Sequence, residues 1–136
     1  MEINISLRNN FEIFENEVRE FNNFHFNKSE YIGWGEIKKQ SSGACKFAKI
    51  KIKIKKTDNR SISKFYWRAS EEQIPLEYFD VVLYTIKSFF KSEDSFTDYK
   101  GLNFYILDGE FHNVDSSNLS FEIATVKALI SAISNH

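Results

Sequence analysis

The segment DGEFHNVDSS, Asp108 to Ser117, gathers side chains that can do chemistry into ten residues. His112 and Asp115, three apart, could act as an acid–base pair or as two metal ligands, and Ser116 or Ser117 could be a nucleophile. Each role needs more than this segment holds. A zinc site takes about three or four protein ligands, whereas the other histidines, His25 and His136, and the single cysteine, Cys45, lie far away in sequence. A serine nucleophile needs a base and an oxyanion hole, and no such set can be assembled from the chain. The expectation is therefore no catalytic residue, no metal and no cofactor. Two roles remain. Asp108 and Gly109 make a turn and Asp115, Ser116 or Ser117 caps a helix, or the loop presents its polar groups to an anion, for which the same residue types serve.

The elements that must hold this loop follow from hydrophobic period. In CKFAKIKIKIKK, Ala48, Ile50, Ile52 and Ile54 alternate with Lys49, Lys51, Lys53 and Lys55, the period of a strand with one face buried. A slip of one residue would drive four ammonium groups into the core, so its register is strongly specified. The preceding YIGWGEIKKQ, with a turn at Ser41 to Gly43, predicts a hairpin partner, and KFYWRAS reads as a short third strand. After Pro75 the period changes: Leu76, Phe79, Val82, Leu83, Ile86 and Phe90 predict an amphipathic helix ending near Lys91. LNFYILDGEF is a fourth strand, closed by the Asp108–Gly109 turn. Leu119, Ile123, Val126, Ile130 and Ile133 then mark one side of a second helix. Residues 1–30 form a leader within the same domain, read as a strand (Ile3, Ile5, Leu7) and then a helix (Phe11, Phe14, Val18, Phe21). The order β-β-β-α-β-α behind this leader predicts an α+β two-layer sandwich, a mostly antiparallel sheet with helices on one face.

The chain has 136 residues and a formal net charge of −1. That length suits a single core, which removes roughly 68–70% of the unfolded surface from water. No apolar run could span a bilayer and the N-terminus lacks the pattern of a secretory signal, so the expected location is cytoplasmic, with no membrane association. The near-zero charge conceals a separation. Eight lysines and no acid lie between Lys38 and Lys56, flanked by acidic segments. A solvated sheet face explains such a ladder, since lysines oppose edge aggregation; a basic track for phosphates explains it too. Along the chain few aromatic residues interleave with these lysines, so base stacking is not expected, and Tyr66 and Trp67 are assigned to packing.

Three stretches, IKKQSSGACKFAKIKI, IPLEYF and LDGEFHNVDSSNLSFEIA, are together similar to the fourth domain of translation elongation factor G, in order and spacing, over roughly Tyr31 to Ile133. In that family the stretch matching Gln40 to Ile52 reads near Q-S-G-G-R-G-Q-Y-G-H-V-V-I. The last stretch reads near V-D-G-S-Y-H-D-V-D-S-S-E-M-A-F-K-I-A and is the specific match. The resemblance implies residues 31–136 as the family domain, with two helices on one face of a four-stranded sheet and a left-handed βαβ crossover, against the usual hand. It further implies that the loops Gln40–Lys46 and Glu110–Ser116 share one tip. In elongation factor G and the tetracycline-resistance ribosomal protection proteins, that tip enters the decoding region of the small ribosomal subunit and contacts RNA. The RNA-contacting residues carried over are Lys38, Lys39, Gln40, Ser41, Ser42, Gly43 and Lys46 from the first loop, and His112, Asn113, Asp115 and Ser116 from the second. Departures lie in the first loop: Ser42 and Cys45 replace glycines, Lys49 stands where histidine is frequent, and Ala44 replaces an arginine. Lys46 supplies charge nearby without the arginine's planar fork.

No G-x-x-x-x-G-K-[ST] phosphate loop occurs, so the expectation is a tip without a nucleotide-driven motor, binding no nucleotide. Its expected partner is the small ribosomal subunit or another structured RNA. The alternative is a protein-interaction module, associating with a protein partner or itself through the aromatic leader (Phe11, Phe14, Phe21, Phe24, Phe26).

Overall fold

A computed structural model of the chain describes residues 14–40, 45–57, 63–89 and 101–134. Within these, α1 (Glu15–Asn23) precedes β1 (Glu30–Lys39), β2 (Lys46–Lys56) and β3 (Phe65–Trp67). A 3₁₀ turn (Leu76–Tyr78) leads into α2 (Phe79–Lys87), followed by β4 (Leu102–Glu110) and α3 (Asn118–Ser134). The strands form one sheet in the order β1-β2-β4-β3, antiparallel except for the β3–β4 pair. A parallel neighbour requires a crossover, and the segment carrying α2 supplies it. The result is the mixed α+β sandwich expected from the element order.

The β2 alternation decides which face is covered. Ala48, Ile50, Ile52 and Ile54 are all 0% exposed, and α3 lies over them and over β1. How α3 reaches the sheet is visible at two glycines. A Cβ on Gly35 would stand 1.9 Å from the Ala124 carbonyl oxygen and 2.5 Å from the Ala128 nitrogen, and one on Gly33 would stand 2.4 Å from the Ala132 nitrogen. Helix backbone therefore rests directly on strand backbone, with a ridge of Ala124, Ala128 and Ala132 fitted onto glycine. The sheet-facing side of α3 thus differs from the expected stripe: Val126 and Ile133 are buried, Ile123 and Ile130 only partly, and Leu119 is exposed. Large aliphatic residues marked the stripe, while small residues make the closest approach.

Helix α2 also departs from expectation. It ends at Lys87 rather than near Lys91, and Leu76 lies exposed in the 3₁₀ turn. Val81, Val82, Tyr84, Thr85 and Ile86 are buried, more than one stripe, because α2 has α3 on one side and aromatic rings on another: Phe79 meets Phe65 and Trp67 at 5.4 and 5.3 Å. Phe90 lies outside the described residues, as do Ile3, Ile5, Leu7 and Phe11.

The expected helix of the leader is α1. Its aromatic residues enter the shared core, where Phe21 packs edge-on against Phe26 and Phe89 at 5.3 and 5.5 Å. The Asn22 amide donates to the Phe89 carbonyl at 2.6 Å, tying α1 to the end of α2.

Strand β4 corrects the loop boundaries. Asp108 and Gly109 do not make the turn; they pair with Lys51 and Ile50 of β2, and the strand runs on to Glu110. The register shift between Lys51 and Ile52 leaves Leu107 as a β-bulge, which bends the strand toward its end. Gly109 is needed for close approach: a Cβ there would stand 2.4 Å from the Ile74 Cδ1.

Candidate nucleic-acid interface

The turn that follows β4 is built around Ser116. Its backbone N–H donates to the His112 carbonyl at 3.0 Å, and its hydroxyl accepts from the His112 N–H at 2.9 Å. The same hydroxyl donates to the Phe47 carbonyl at 2.8 Å, and the Phe47 N–H donates to the Asp115 carbonyl at 3.0 Å. Of the three capping candidates, Ser117 caps α3: its hydroxyl accepts from the Ser120 N–H at 3.1 Å while the Ser120 hydroxyl accepts from the Ser117 N–H at 2.7 Å. That reciprocal pair is a capping box with serine in the second position. Both serine hydroxyls are thus held in structural bonds, and neither bonds the His112 ring.

These bonds lace the second loop to the start of β2. The His112 ring stacks on Phe47 with centroids 3.9 Å apart and planes 5° from parallel. Phe47 is buried beneath it, while the imidazole stays half-exposed, its Nδ1 3.9 Å from the Asp115 carboxylate. At that distance the pair attracts only when the imidazole is charged. Around this stack lie the lysines of the hairpin. Lys38 is paired with Phe47 and Lys39 with Lys46; like charges directly opposed across strands destabilise each other. Lys38, Lys39, Gln40, His112 and Asn113 are exposed, and Lys46, Asp115 and Ser116 are partly buried. Ser41, Ser42 and Gly43 lie outside the described residues, as does Ala44. Among the described residues no group of three His, Cys, Asp or Glu side chains could hold a metal ion.

The open side of the sheet holds what the sequence reading missed. The lysines of β2 do have aromatic neighbours, but on other strands. Trp34 of β1 has the Lys49 and Lys51 ammonium groups over its ring at 5.0 and 5.6 Å. Tyr105 of β4 has Lys53 at 5.0 Å and stacks on Tyr66 of β3 at 4.6 Å, with planes 10° apart. The Arg68 guanidinium covers both tyrosines at 5.4 and 5.7 Å. Tyr66 therefore belongs to the open face, and Trp67 alone packs against the core. The available signal was parity: Ile32, Trp34 and Glu36 alternate with the helix-facing Gly33 and Gly35, and antiparallel pairing brings them beside the lysines.

Three comparisons bear on this chain. The family profile described as elongation factor G, domain IV, matches residues 26–135. Elongation factor G of Ruegeria pomeroyi is 38% identical over 89 residues, 64% of this chain and 12% of that protein. The Cereibacter sphaeroides factor is 35% identical over 94 residues, 68% of this chain and 13% of its own length. The chain thus corresponds to a small part of the curated relatives it matches. A crystal structure of a Thermus thermophilus protein superposes with a TM-score of 0.65 at 25% identity, covering 79% of this chain and 16% of the other.

Proposed function

The chain belongs to the elongation factor G domain IV family, a translation-related family, and from that premise we propose that it is a non-enzymatic module whose tip contacts RNA of the small ribosomal subunit. The contact is made by the hairpin end at Lys38, Lys39, Gln40 and Lys46, with Ser41 to Gly43 between them, and by His112, Asn113, Asp115 and Ser116. One observation carries this reading: the stack of His112 on Phe47, with the Ser116 and Asp115 bonds that lock it. It fixes an imidazole over Phe47, the register partner of Lys38, at the hairpin end where Lys39 and Lys46 are opposed and a phosphate would relieve their mutual repulsion. The exposed turn at the tip is preorganised, so little ordering cost falls on binding.

Cosedimentation with small ribosomal subunits across a salt series tests the proposal. Binding should weaken steeply with salt through counterion release, and Lys39→Gln together with Lys46→Gln should flatten that dependence. Absence of binding at the lowest salt overturns it.

The protein-interaction alternative changes shape. Phe21 and Phe26 are buried in the chain's own core, and what favours a partner is instead a groove of about 440 Å³ between α1 and α3, lined by Phe14, Ile123, Val126 and Ile130. Light scattering of wild type and Ile130→Asp decides: a dimer lost in the variant supports it, and a wild-type monomer removes self-association.

A further inference from the structure

We propose that the open face of the sheet is a second site, separate from the tip, that binds single-stranded nucleic acid by stacking bases on Trp34 and on the Tyr66–Tyr105 pair while Lys51, Lys53 and Arg68 hold the phosphates. A four-stranded sheet with aromatic rings on its free face is one of the surfaces on which splayed bases stack. Two things on this face point to that occupant. The first is flat apolar area left in solvent: Trp34 is 41% exposed and its neighbour Ile32 44%. The second is charge of the right kind beside each ring. Every aromatic group named has a cation over it, between 5.0 and 5.7 Å away.

Acidic groups share the face, and their placement leaves the rings free. Glu30 lies 3.9 Å from Lys53, and Lys49 is flanked in register by Glu36 of β1 and Glu110 of β4. Asp108 is opposite Lys51, but one carboxylate oxygen accepts from Gln73 at 2.8 Å and from the Gly109 N–H at 2.7 Å. Among the described residues, Lys49, Lys51, Lys55 and Arg68 take part in no ion pair. Trp34 and Tyr105 stand two strands and two residues apart, about 12 Å by ordinary strand spacing, so they take different bases of one strand. When a base slides onto a ring it displaces the ammonium group there. The flexible lysine stem carries that charge to the adjoining phosphate, so a weak exposed cation–π contact is exchanged for a stacked base and an ion pair. An acidic polypeptide would satisfy the lysines but leave the rings without a planar partner, and a duplex hides its base faces.

The chain has two tryptophans. Trp67 packs against the core, so emission quenched on titration with a 12-nucleotide oligouridylate reports on Trp34. The expected result is quenching that disappears in Trp34→Phe and, by the anisotropy of the same oligonucleotide carrying an end label, an affinity lowered about 5- to 150-fold in Trp34→Ala and a log–log salt slope shallower by about 0.7 in Lys51→Gln. Circular dichroism verifies folding of each variant, and Lys51→Gln keeps the test valid if Trp34→Ala does not fold. Unquenched emission at millimolar oligonucleotide overturns the proposal. So does equal competition by polyglutamate or by a duplex of the same length, or a loss in His112→Ala as large as in Trp34→Ala, which would assign the binding to the tip. The assay contains no ribosome, so its outcome and that of the tip proposal are independent.

Discussion

Strand β2 presents two different surfaces from one alternating sequence. Its even-numbered residues from Ala48 to Ile54 lie sealed beneath α3, while Lys49, Lys51, Lys53 and Lys55 of the same strand stand on a face that none of the described helices covers. The covered face is defined by close packing, down to backbone resting on backbone at Gly33 and Gly35. On the open face, exposed rings and cations touch at distances that water and counterions can enter. Tightly packed surfaces tolerate almost no change of volume. Loosely engaged polar surfaces tolerate substitution with small effects on stability, which leaves their residues available for binding.

The largest effect that would sharpen this contrast is expected at Gly35. In Gly35→Val a branched side chain meets the Ala124 carbonyl and the Ala128 nitrogen, and neither can move without shifting α3. Overpacking of a core costs about 1–3 kcal/mol and occasionally more; with backbone as the obstacle, the loss should reach at least ~3 kcal/mol. Urea unfolding measures it. A Gly35→Val protein as stable as wild type would mean that α3 does not lie on β1 as described.

Next in size is a pair of substitutions one residue apart on β2. Ile52→Ala removes a fully buried side chain and should cost about 2–5 kcal/mol. Lys51→Ala, on the opposite face, loses a cation over Trp34 and should cost less than about 1 kcal/mol. Comparable losses at the two positions, by the same denaturant method, would break the distinction between the faces.

This contrast also marks what could be read from the chain. The period of two in β2 specified its buried face, because alternation within one strand needs no knowledge of any other, and its hairpin partner was legible in YIGWGEIKKQ and the turn signal at Ser41 to Gly43. Where packing depends on small residues, the pattern of large aliphatics misleads: Ile123 and Ile130 suggested the inner side of α3, whereas Ala124, Ala128 and Ala132 form it. Asp108–Gly109 carried a strong local turn signal, yet the bulge at Leu107 and the approach of Ile74 keep both residues in β4. The proposed tip was partly legible through the run from Asp108 to Ala124, which brought out His112 and Ser116. Phe47, the ring beneath His112, carried no local sign of that role. The aromatic groups of the open face were hidden for a related reason. Trp34, Tyr66 and Tyr105 come from three strands, and only the strand order β1-β2-β4-β3 sets them among the lysines.

The smallest effect concerns a titratable group on the covered side. Tyr78, in the 3₁₀ turn before α2, stacks on Phe121 of α3 with centroids 4.4 Å apart. Burial, reinforced by the carboxylate of Glu77, raises its phenol above the ordinary tyrosine value. A neutral phenol is therefore favoured in the folded chain, whereas in the unfolded chain it ionises near its usual value of about 10. The folded state then binds more protons across the interval between the two values, and stability falls with pH there. Tyr78's contribution is fully present below about pH 10 and is lost as the pH climbs through the raised folded value. Lysines titrate in the same range, so the difference between two proteins is the informative quantity. Tyr78→Phe keeps the ring on Phe121 and removes the proton, and its urea midpoint should decline less between about pH 9 and pH 11 than that of wild type. Parallel declines would show that the Tyr78 hydroxyl is as well solvated as the rings on the open face, and the covered side would then be less tightly sealed at the α2–α3 junction than at Gly35.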